Sequence, residues 1–383
     1  MHLKSPQLGA RPISRTQPSN HRTIVRAAAD GASTSLVGDP AVAGGIAFTM
    51  AFGVINRVLY KMALNPLGNY VFFLAQLQTF GYCLCYFTFL FVRKRQGIVT
   101  DEMISAPDKR LFALNGLLEA MSQLLGLVGA SQLPGVVLPL FQQTVLIFTI
   151  GFGYLILGKK LKPVQILGAL LVGGGVGYAA LPAGESAGVL SQVDPKYALI
   201  FIASMIFPAL SSIIKEKIFS DAKEKLGGKQ LDLFVVNSFG SLAQAVFVIL
   251  FLPVLTSLRG IPLSGLPSYL ADGFTCFVGG SPSCGSNCSA APLLPLLYVA
   301  FNLAFNISIL QLLRSAGNVV QSIVLASIVP ITIYAFTLPL PYLPAPPELG
   351  PNFLVGTLIL MGGLATYQSP NWLPAAQKKF KSS

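Results

Sequence analysis

From Val42 to Tyr367 the chain is a succession of apolar runs separated by short polar segments. Each run is close to the ~20 residues that a helix needs to cross a bilayer, which predicts membrane-spanning helices rather than a soluble core. We therefore predict an all-α polytopic membrane protein whose first partner is the lipid bilayer. Ten spans are expected, at residues 41–62, 70–92, 110–130, 135–157, 163–181, 195–215, 231–255, 292–313, 316–338 and 351–368.

The last span of each half carries the same glycine pattern. Gly168 and Gly174 in the fifth span have the spacing of Gly356 and Gly362 in the tenth. Five spans is an odd number, so two such halves would be inverted relative to each other, which is a transporter architecture. The stretch from Gly173 to Gly177 equally suits close helix packing, within the protomer or in a homodimer. The expected divisions are residues 1–40 (leader and linker), 41–181 (first repeat), 182–368 (second repeat, with a cysteine-containing loop at 256–291) and 369–383 (basic tail).

The charged residues are few and strongly sorted. The chain is 53% hydrophobic and 10% charged, with a formal net charge of +12. Its basic residues concentrate in the loops on the side of the termini, as the positive-inside rule describes. Because these charges are spread over many short loops, they do not form a basic patch for RNA, and no nucleic-acid partner is expected. They are Arg93, Lys94, Arg95, Lys109, Arg110, Lys159, Lys160, Lys162, Lys215, Lys217, Lys223, Lys225, Lys229, Arg314, Lys378, Lys379 and Lys381.

The first residues have the composition of an organelle leader. They are rich in Arg and Ser, and the first acidic residue is Asp30. Basic, hydroxylated and acid-poor segments are typical of transit peptides. We interpret the segment as a plastid leader, with a mitochondrial leader and a disordered tail as the alternatives. Val25-Arg26-Ala27-Ala28 resembles a chloroplast processing site.

Removal of the leader would leave a chain without histidine, because His2 and His21 both lie in it. That argues against a histidine-activated nucleophile and against His-ligated zinc. The sequence also has no HExxH, Walker loop or paired CxxC. We therefore expect no enzyme, no cofactor and no metal.

Polar side chains recur inside the apolar runs, where each must face the protein interior or have a task. Arg57 lies deep in the first span and either lines a cavity or forms an ion pair. Glu119, in the third span, can bind a proton or a coupling cation, or can neutralise Arg57. The other candidates for a polar pathway are Gln76, Gln143, Asn237, Gln244 and Asn306. Pro139, Pro208 and Pro330 are expected to kink their helices.

Three cysteines lie in the loop before the eighth span: Cys276, Cys284 and Cys288. Three cysteines allow one internal disulfide and leave one over.

Several long strings of residues resemble the chloroquine-resistance transporter family. The run from Asn56 to Tyr70 resembles its first span and following turn. The strings 72–76, 97–103 and 336–342 look like the plant branch, the chloroquine-resistance-transporter-like proteins of plastids. The resemblance extends from about Val42 to Tyr367.

The resemblance implies a drug/metabolite-transporter fold of ten helices in two inverted repeats. It also implies alternating-access transport of small thiol peptides, glutathione and γ-glutamylcysteine, across the plastid envelope, for which we expect the inner membrane. Arg57 falls where the parasite members have a cavity-lining lysine, and Gln76 replaces an acid. Other residues at matching polar positions are Glu119, Gln143, Asn237, Gln244 and Asn306.

Other functions remain as alternatives. A plastid carrier for another organic anion, such as a sugar phosphate, would call for clustered Lys or Arg deep in the cavity. A non-transporting scaffold would not need polar residues in many spans.

We expect residues 1 to about 27, fused to a fluorescent protein, to direct it to plastids, because the segment is basic and free of acids. Fluorescence microscopy of the fusion measures this, and a mitochondrial or cytosolic signal would show the interpretation to be wrong.

Overall fold

The computed structural model describes residues 40–157, 162–179, 193–258, 260–282, 288–345 and 349–381. These residues are mostly helical and include no strand. The leader, Cys284 and the last two residues lie outside them. The helices are α1 (Pro40–Leu67), α2 (Val71–Arg95), α3 (Asp101–Ser105), α4 (Lys109–Gln132), α5 (Val137–Gln142), α6 (Thr144–Leu157), α7 (Pro163–Ala179), α8 (Pro195–Ser204), α9 (Ile206–Lys225), α10 (Leu233–Leu258), α11 (Leu266–Phe277), α12 (Leu293–Ala335) and α13 (Pro351–Lys381).

Six helical segments among the described residues are long and apolar enough to cross a membrane. Their outward surfaces carry exposed aliphatic side chains such as Leu84 and Leu155, as a lipid-facing surface requires. This confirms the expected all-helical, multi-pass architecture. The six are Val42–Leu67, Val71–Arg95, Lys109–Gln132, Val137–Ile156, Pro195–Lys225 and Leu233–Pro253. Shorter apolar helices occupy Pro163–Ala179, Leu293–Ile309, Val324–Ala335 and Pro351–Tyr367.

The fourth and sixth predicted spans are broken near their prolines. In the fourth, the Gln143 backbone N–H donates to the Leu140 carbonyl and not to the Pro139 carbonyl, as it would in a continuous α-helix. The Gln143 side-chain amide donates to the Pro139 carbonyl, at 3.2 Å. Side chains and altered backbone bonds thus take up the carbonyls freed at a break, as proteins in lipid require.

The same device recurs in the sixth span, three residues before Pro208. There the Met205 N–H donates to the Ile202 carbonyl. The Ser204 hydroxyl donates to the Phe201 carbonyl, at 2.6 Å. The expected kinks at Pro139 and Pro208 are therefore present as interruptions of the helix, whereas α12 continues through Pro330.

Helix α12 folds back along α1. A Cβ atom added to Gly53 would lie 2.8 Å from Phe305 and 2.5 Å from Ile328. In a straight helix two residues this far apart in sequence would be roughly 34 Å apart, at about 1.5 Å per residue. The chain must therefore reverse between Phe305 and Ile328, so that two arms of α12 lie against the same face of α1. The predicted eighth and ninth spans correspond to these two arms.

Helices α7 and α13 cross in close contact through glycines. A Cβ atom on Gly175 would lie 2.5 Å from the Leu360 backbone nitrogen, and one on Gly363 would lie 2.6 Å from the Val172 nitrogen. A shift of 188 positions converts Gly175 into Gly363 and Val172 into Leu360. The two contacts are thus equivalents of each other, as a local two-fold relation between α7 and α13 requires.

The remaining contacts of this pair follow the same relation. Gly168 meets Tyr367, and Gly356 meets Ala179, so the helices run antiparallel. The sequence suggested that these glycines pack helices either within the protomer or in a homodimer. At Gly175 the structure has packing within the protomer. No atom lies within 4 Å of a Cβ atom added to Gly174.

The loop between α10 and α12 is tied to the turn between α1 and α2. Cys276 and Cys288 form a disulfide, one of the pairings that the sequence allows. The Cys276 sulfur lies 3.3 Å from the Pro66 carbonyl oxygen. In α11, Tyr269 packs its ring against Tyr70, with centroids 5.5 Å apart. The amphipathic helix α11 therefore covers this end of the helix bundle.

An ion pair fixes the start of α10. The Arg93 guanidinium binds Asp232 Oδ2 at 2.6 Å, and only 6% of the Asp232 side chain is exposed. Asp232 Oδ1 accepts the Phe234 N–H at 2.9 Å, which caps the helix. One carboxylate thus joins the end of α2 to the beginning of α10.

We expect Gly175→Ala to destabilise the protein by about 1–3 kcal/mol, because the added methyl would meet backbone atoms that cannot move aside. Thermal unfolding of the purified protein in detergent measures the effect. Gly174→Ala is the matched control, since its methyl meets open space. Equal unfolding temperatures for the two variants would contradict the packing described for α7 and α13.

Candidate functional site

A small cavity of about 120 Å³ lies beside Arg57, between the first, fourth, eighth and ninth predicted spans. Its lining includes both polar and apolar side chains. Tyr298 lies in the first arm of α12 and Phe336 directly follows the second arm, so the two meet here because α12 folds back on itself. The lining residues are Asn56, Arg57, Tyr60, Leu138, Pro139, Gln142, Tyr298, Asn302 and Phe336.

Two polar atoms of the residues lining this cavity have no hydrogen-bond partner in the described part of the chain. They are the Arg57 Nη1 donor and the Asn56 Oδ1 acceptor. A buried donor or acceptor left unpaired costs about 1–3 kcal/mol, and more when it is charged. A molecule in the cavity could supply the missing hydrogen-bond partners. The cavity therefore has the features of a binding site for a polar group.

Next to the cavity, a network of side-chain amides is centred on Gln123 of α4. The Gln123 amide nitrogen donates to the Ala75 carbonyl and to Gln78 Oε1, both at 3.1 Å. Its oxygen accepts from Thr79 at 2.9 Å and from Gln244 at 2.8 Å. All four hydrogen-bonding positions of this amide are used, so it joins α2, α4 and α10 rigidly.

The network continues from α2 to α12. The Gln78 amide nitrogen donates to the Tyr82 oxygen at 2.7 Å. The Tyr82 hydroxyl donates to Asn302 Oδ1, which also accepts from Asn306 Nδ2 at 2.8 Å. Asn302 lines the cavity, so an unbroken chain of polar contacts links Gln244 with the cavity wall.

Glu119 is paired, and its partner is not Arg57. Its carboxylate binds the Lys215 ammonium at 2.8 Å and accepts from the Ser211 hydroxyl. The suggestion that Glu119 neutralises Arg57 is therefore wrong. The error arose because Lys215, the last residue of the predicted sixth span, was counted among the loop charges, whereas it lies inside α9, which continues to Lys225.

The sequence-predicted residues fall into four groups. Arg57 lines the cavity, and Gln244 and Asn306 belong to the amide network. Glu119 lies one helical turn from Gln123, in its own ion pair. Gln76, Gln143 and Asn237 are half-buried and belong to neither the cavity wall nor the network. At the break after α5, Gln142 lines the cavity while Gln143 bonds to the Pro139 carbonyl.

Sequence reasoning missed Gln78, Thr79 and Tyr82 of α2, and it did not select Asn302 for the site. The signal was present: Gln78 and Tyr82 are four residues apart, as are Asn302 and Asn306, which places each pair on one helical face. What the spacing could not give is which face of each helix meets the others.

A second, larger cavity, called the outer cavity below, also has Phe336 in its wall. Its volume is about 450 Å³, and its wall includes Lys61, Asn65 and Tyr342. The Lys61 ammonium donates to the Ala130 carbonyl at 2.9 Å, near the end of α4. Phe336 is 5% exposed and belongs to the walls of both cavities. Phe336 is therefore shared by the larger cavity and the space beside Arg57.

Residues 46–367 match the family described as CRT-like, chloroquine-resistance transporter-like. The chain belongs to this family. The match includes the residues of the cavity and of the amide network.

Among the curated relatives of this family, the Arabidopsis thaliana proteins CLT2 and CLT1, both described as chloroplastic, are 47% and 44% identical to this chain. The alignments cover 84% and 86% of this chain and 74% and 72% of those proteins. The Dictyostelium discoideum protein Crt homolog 1 is 26% identical over 82% of this chain and 71% of its own length. The chloroplastic relatives and the six candidate spans support a multi-pass membrane protein of the plastid in a transporter family.

We expect Lys215→Met to destabilise the protein, because it leaves the Glu119 carboxylate without its cation. The side chains of Lys215 and Glu119 are 38% and 27% exposed, so the loss should be about 1–3 kcal/mol, below that of a fully buried pair. Thermal unfolding in detergent measures it. Adding Glu119→Gln to Lys215→Met should recover most of the loss.

Arg57→Gln provides the comparison for this pair. Because Arg57 does not contact Glu119, adding Glu119→Gln to Arg57→Gln should not improve stability. Recovery in that combination, and not with Lys215→Met, would contradict the pairing.

Proposed function

We propose that the protein is a secondary transporter of the plastid envelope that moves small thiol peptides, glutathione and γ-glutamylcysteine, by alternating access. The observation that carries this proposal is the cavity beside Arg57, where a buried cationic donor and a buried acceptor are both without a partner. We expect the inner envelope membrane to hold it.

The proposal includes ten spans arranged as two inverted repeats. It is supported by the reversal of α12 into two arms and by the two broken helices, which together account for every predicted span. The local two-fold relation between α7 and α13, with its shift of 188 positions, supports an inversion of the halves. In transporters built this way the substrate lies between the repeats, which is where the cavity is found.

The hydrogen-bonding character of the cavity favours a peptide over a phosphate. A peptide end offers carboxylate oxygens to the Arg57 guanidinium and an N–H group to Asn56 Oδ1. A phosphate group offers acceptors alone and, as a dianion, would call for a cluster of cations. The second basic residue nearby, Lys61, lies in the wall of the outer cavity and donates to a helix end. A sugar phosphate is therefore the weaker candidate.

Alternating access needs a site that can be closed on one side at a time. At about 120 Å³ the cavity is smaller than the ~300–1,000 Å³ of most ligand pockets, so it would hold one end of such a peptide. Phe336 belongs to the walls of both this cavity and the outer cavity. We propose that this side is closed here and that Phe336 moves when the outer cavity and the site become continuous.

We expect Arg57→Gln to raise the half-saturation concentration for glutathione uptake into proteoliposomes by about tenfold or more. A hydrogen bond to a charged group contributes about 1.5–3 kcal/mol, and each 1.4 kcal/mol is a tenfold change in affinity. Arg57→Lys should lose less, because it keeps the charge. Uptake of labelled glutathione, γ-glutamylcysteine and triose phosphate is the measurement.

Lys217→Gln is the control, because it removes one positive charge from an exposed surface pair with Asp221. It should transport as the unchanged protein does. Normal glutathione uptake by a well-folded Arg57→Gln protein would remove Arg57 from the site. Uptake of triose phosphate in place of both thiol peptides would favour the sugar-phosphate carrier.

A further inference from the structure

The Asn302 amide has its oxygen occupied and its nitrogen free at the cavity. Oδ1 accepts from the Tyr82 hydroxyl and from Asn306 Nδ2. An amide oxygen has two lone pairs, and the nitrogen carries two N–H donors. Within the described part of the chain Nδ2 makes no hydrogen bond, and Asn302 lines the cavity that holds Arg57. The side chain therefore presents N–H groups, rather than an acceptor, to whatever enters.

The direction of these hydrogen bonds is set by the Ala75 carbonyl of α2, at the far end of the network. The Ala75 carbonyl can only accept, so the Gln123 atom that contacts it must be the nitrogen. The same nitrogen contacts Gln78, which must then present its oxygen. The Gln78 nitrogen consequently faces Tyr82 and donates to its oxygen, at 2.7 Å.

The last bond in the chain follows from this order. Because Gln78 donates to the Tyr82 oxygen, the single Tyr82 hydroxyl proton is left for Asn302 Oδ1. A backbone carbonyl in α2 thus sets, through three side chains, which end of the Asn302 amide points into the cavity.

We infer that Asn302, oriented by Tyr82, is a specificity-determining residue that together with Arg57 selects a carboxylate over a carboxamide. This inference rests on the proposed function and assigns the part of the substrate that the site reads. A carboxylate accepts from both Arg57 and Asn302. A carboxamide has a single acceptor oxygen for these two donors and no negative charge for Arg57, so the site should bind it more weakly.

The test uses N-acetylglycine and N-acetylglycinamide, a carboxylate and its amide small enough for the cavity, as inhibitors of glutathione uptake. Their effect on the unfolding temperature of the purified protein measures binding without transport. The unchanged protein should prefer the carboxylate by about tenfold to a hundredfold, the range for one charge-assisted hydrogen bond.

Two variants remove the donor in different ways. Asn302→Asp keeps an oxygen for Tyr82 and Asn306 but presents a second oxygen to Arg57, so the preference should vanish or reverse. Tyr82→Phe frees the amide to turn, so the preference should fall to a few-fold. Asn65→Asp is the matched control: it adds the same charge in the outer cavity and should leave the ratio unchanged.

The outcomes separate this inference from the proposed function. If the unchanged protein transports glutathione and Asn302→Asp still prefers the carboxylate, the inference is wrong and the proposed function stands. If the unchanged protein does not transport glutathione, the proposed function is wrong, and the unfolding temperatures alone decide the inference. If Asn302→Asp does not fold, Tyr82→Phe decides, and a preference equal to that of the unchanged protein overturns the role of Tyr82.

Discussion

Inside a bilayer a polar group has no water to bond with, so it must be completed by another part of the protein or by a ligand. This constraint explains most of what is specific in the structure. At the two helix breaks, the freed carbonyls are taken by Gln143 and Ser204. The Glu119 carboxylate pairs with Lys215 and accepts a hydrogen bond from Ser211. Arg57 Nη1 and Asn56 Oδ1 have no hydrogen-bond partner among the described residues, and both residues line a cavity.

The same constraint explains why the interior is rich in amides rather than charges. An amide both donates and accepts, so a chain of amides can satisfy itself across several helices without a net charge. Gln123 does this for three helices, with all four of its positions used. The helices around the cavity are therefore joined by directional bonds, whereas α7 and α13 are joined by bare glycine contacts. Polar groups specify the orientation of side chains at the site, and small residues allow close packing away from it.

The sequence allowed the all-helical class and the multi-pass character to be predicted, because span length and charge sorting depend on the bilayer and not on neighbouring helices. It also identified Arg57, whose depth in the first span can be read from its position alone. It did not identify the partner of Glu119, because that depends on how far α9 extends and on which face of α9 meets α4. That Gln142 lines the cavity while Gln143 does not could not be read from the sequence, for a related reason. The break after α5 rotates the chain, so adjacent amides point in different directions.

A site of this kind also fits the needs of transport, in which a substrate must be released as readily as it is bound. A cluster of fixed cations would hold an anion firmly and resist its release. In the proposed site, one guanidinium supported by neutral donors such as Asn302 would bind a carboxylate through direction as much as through charge. Since Tyr82, Gln78 and Gln123 orient that donor from α2 and α4, a movement of these helices relative to α12 would turn the donor away. On this proposal the affinity of the cavity depends on the arrangement of the helices around it, which is the link that alternating access requires.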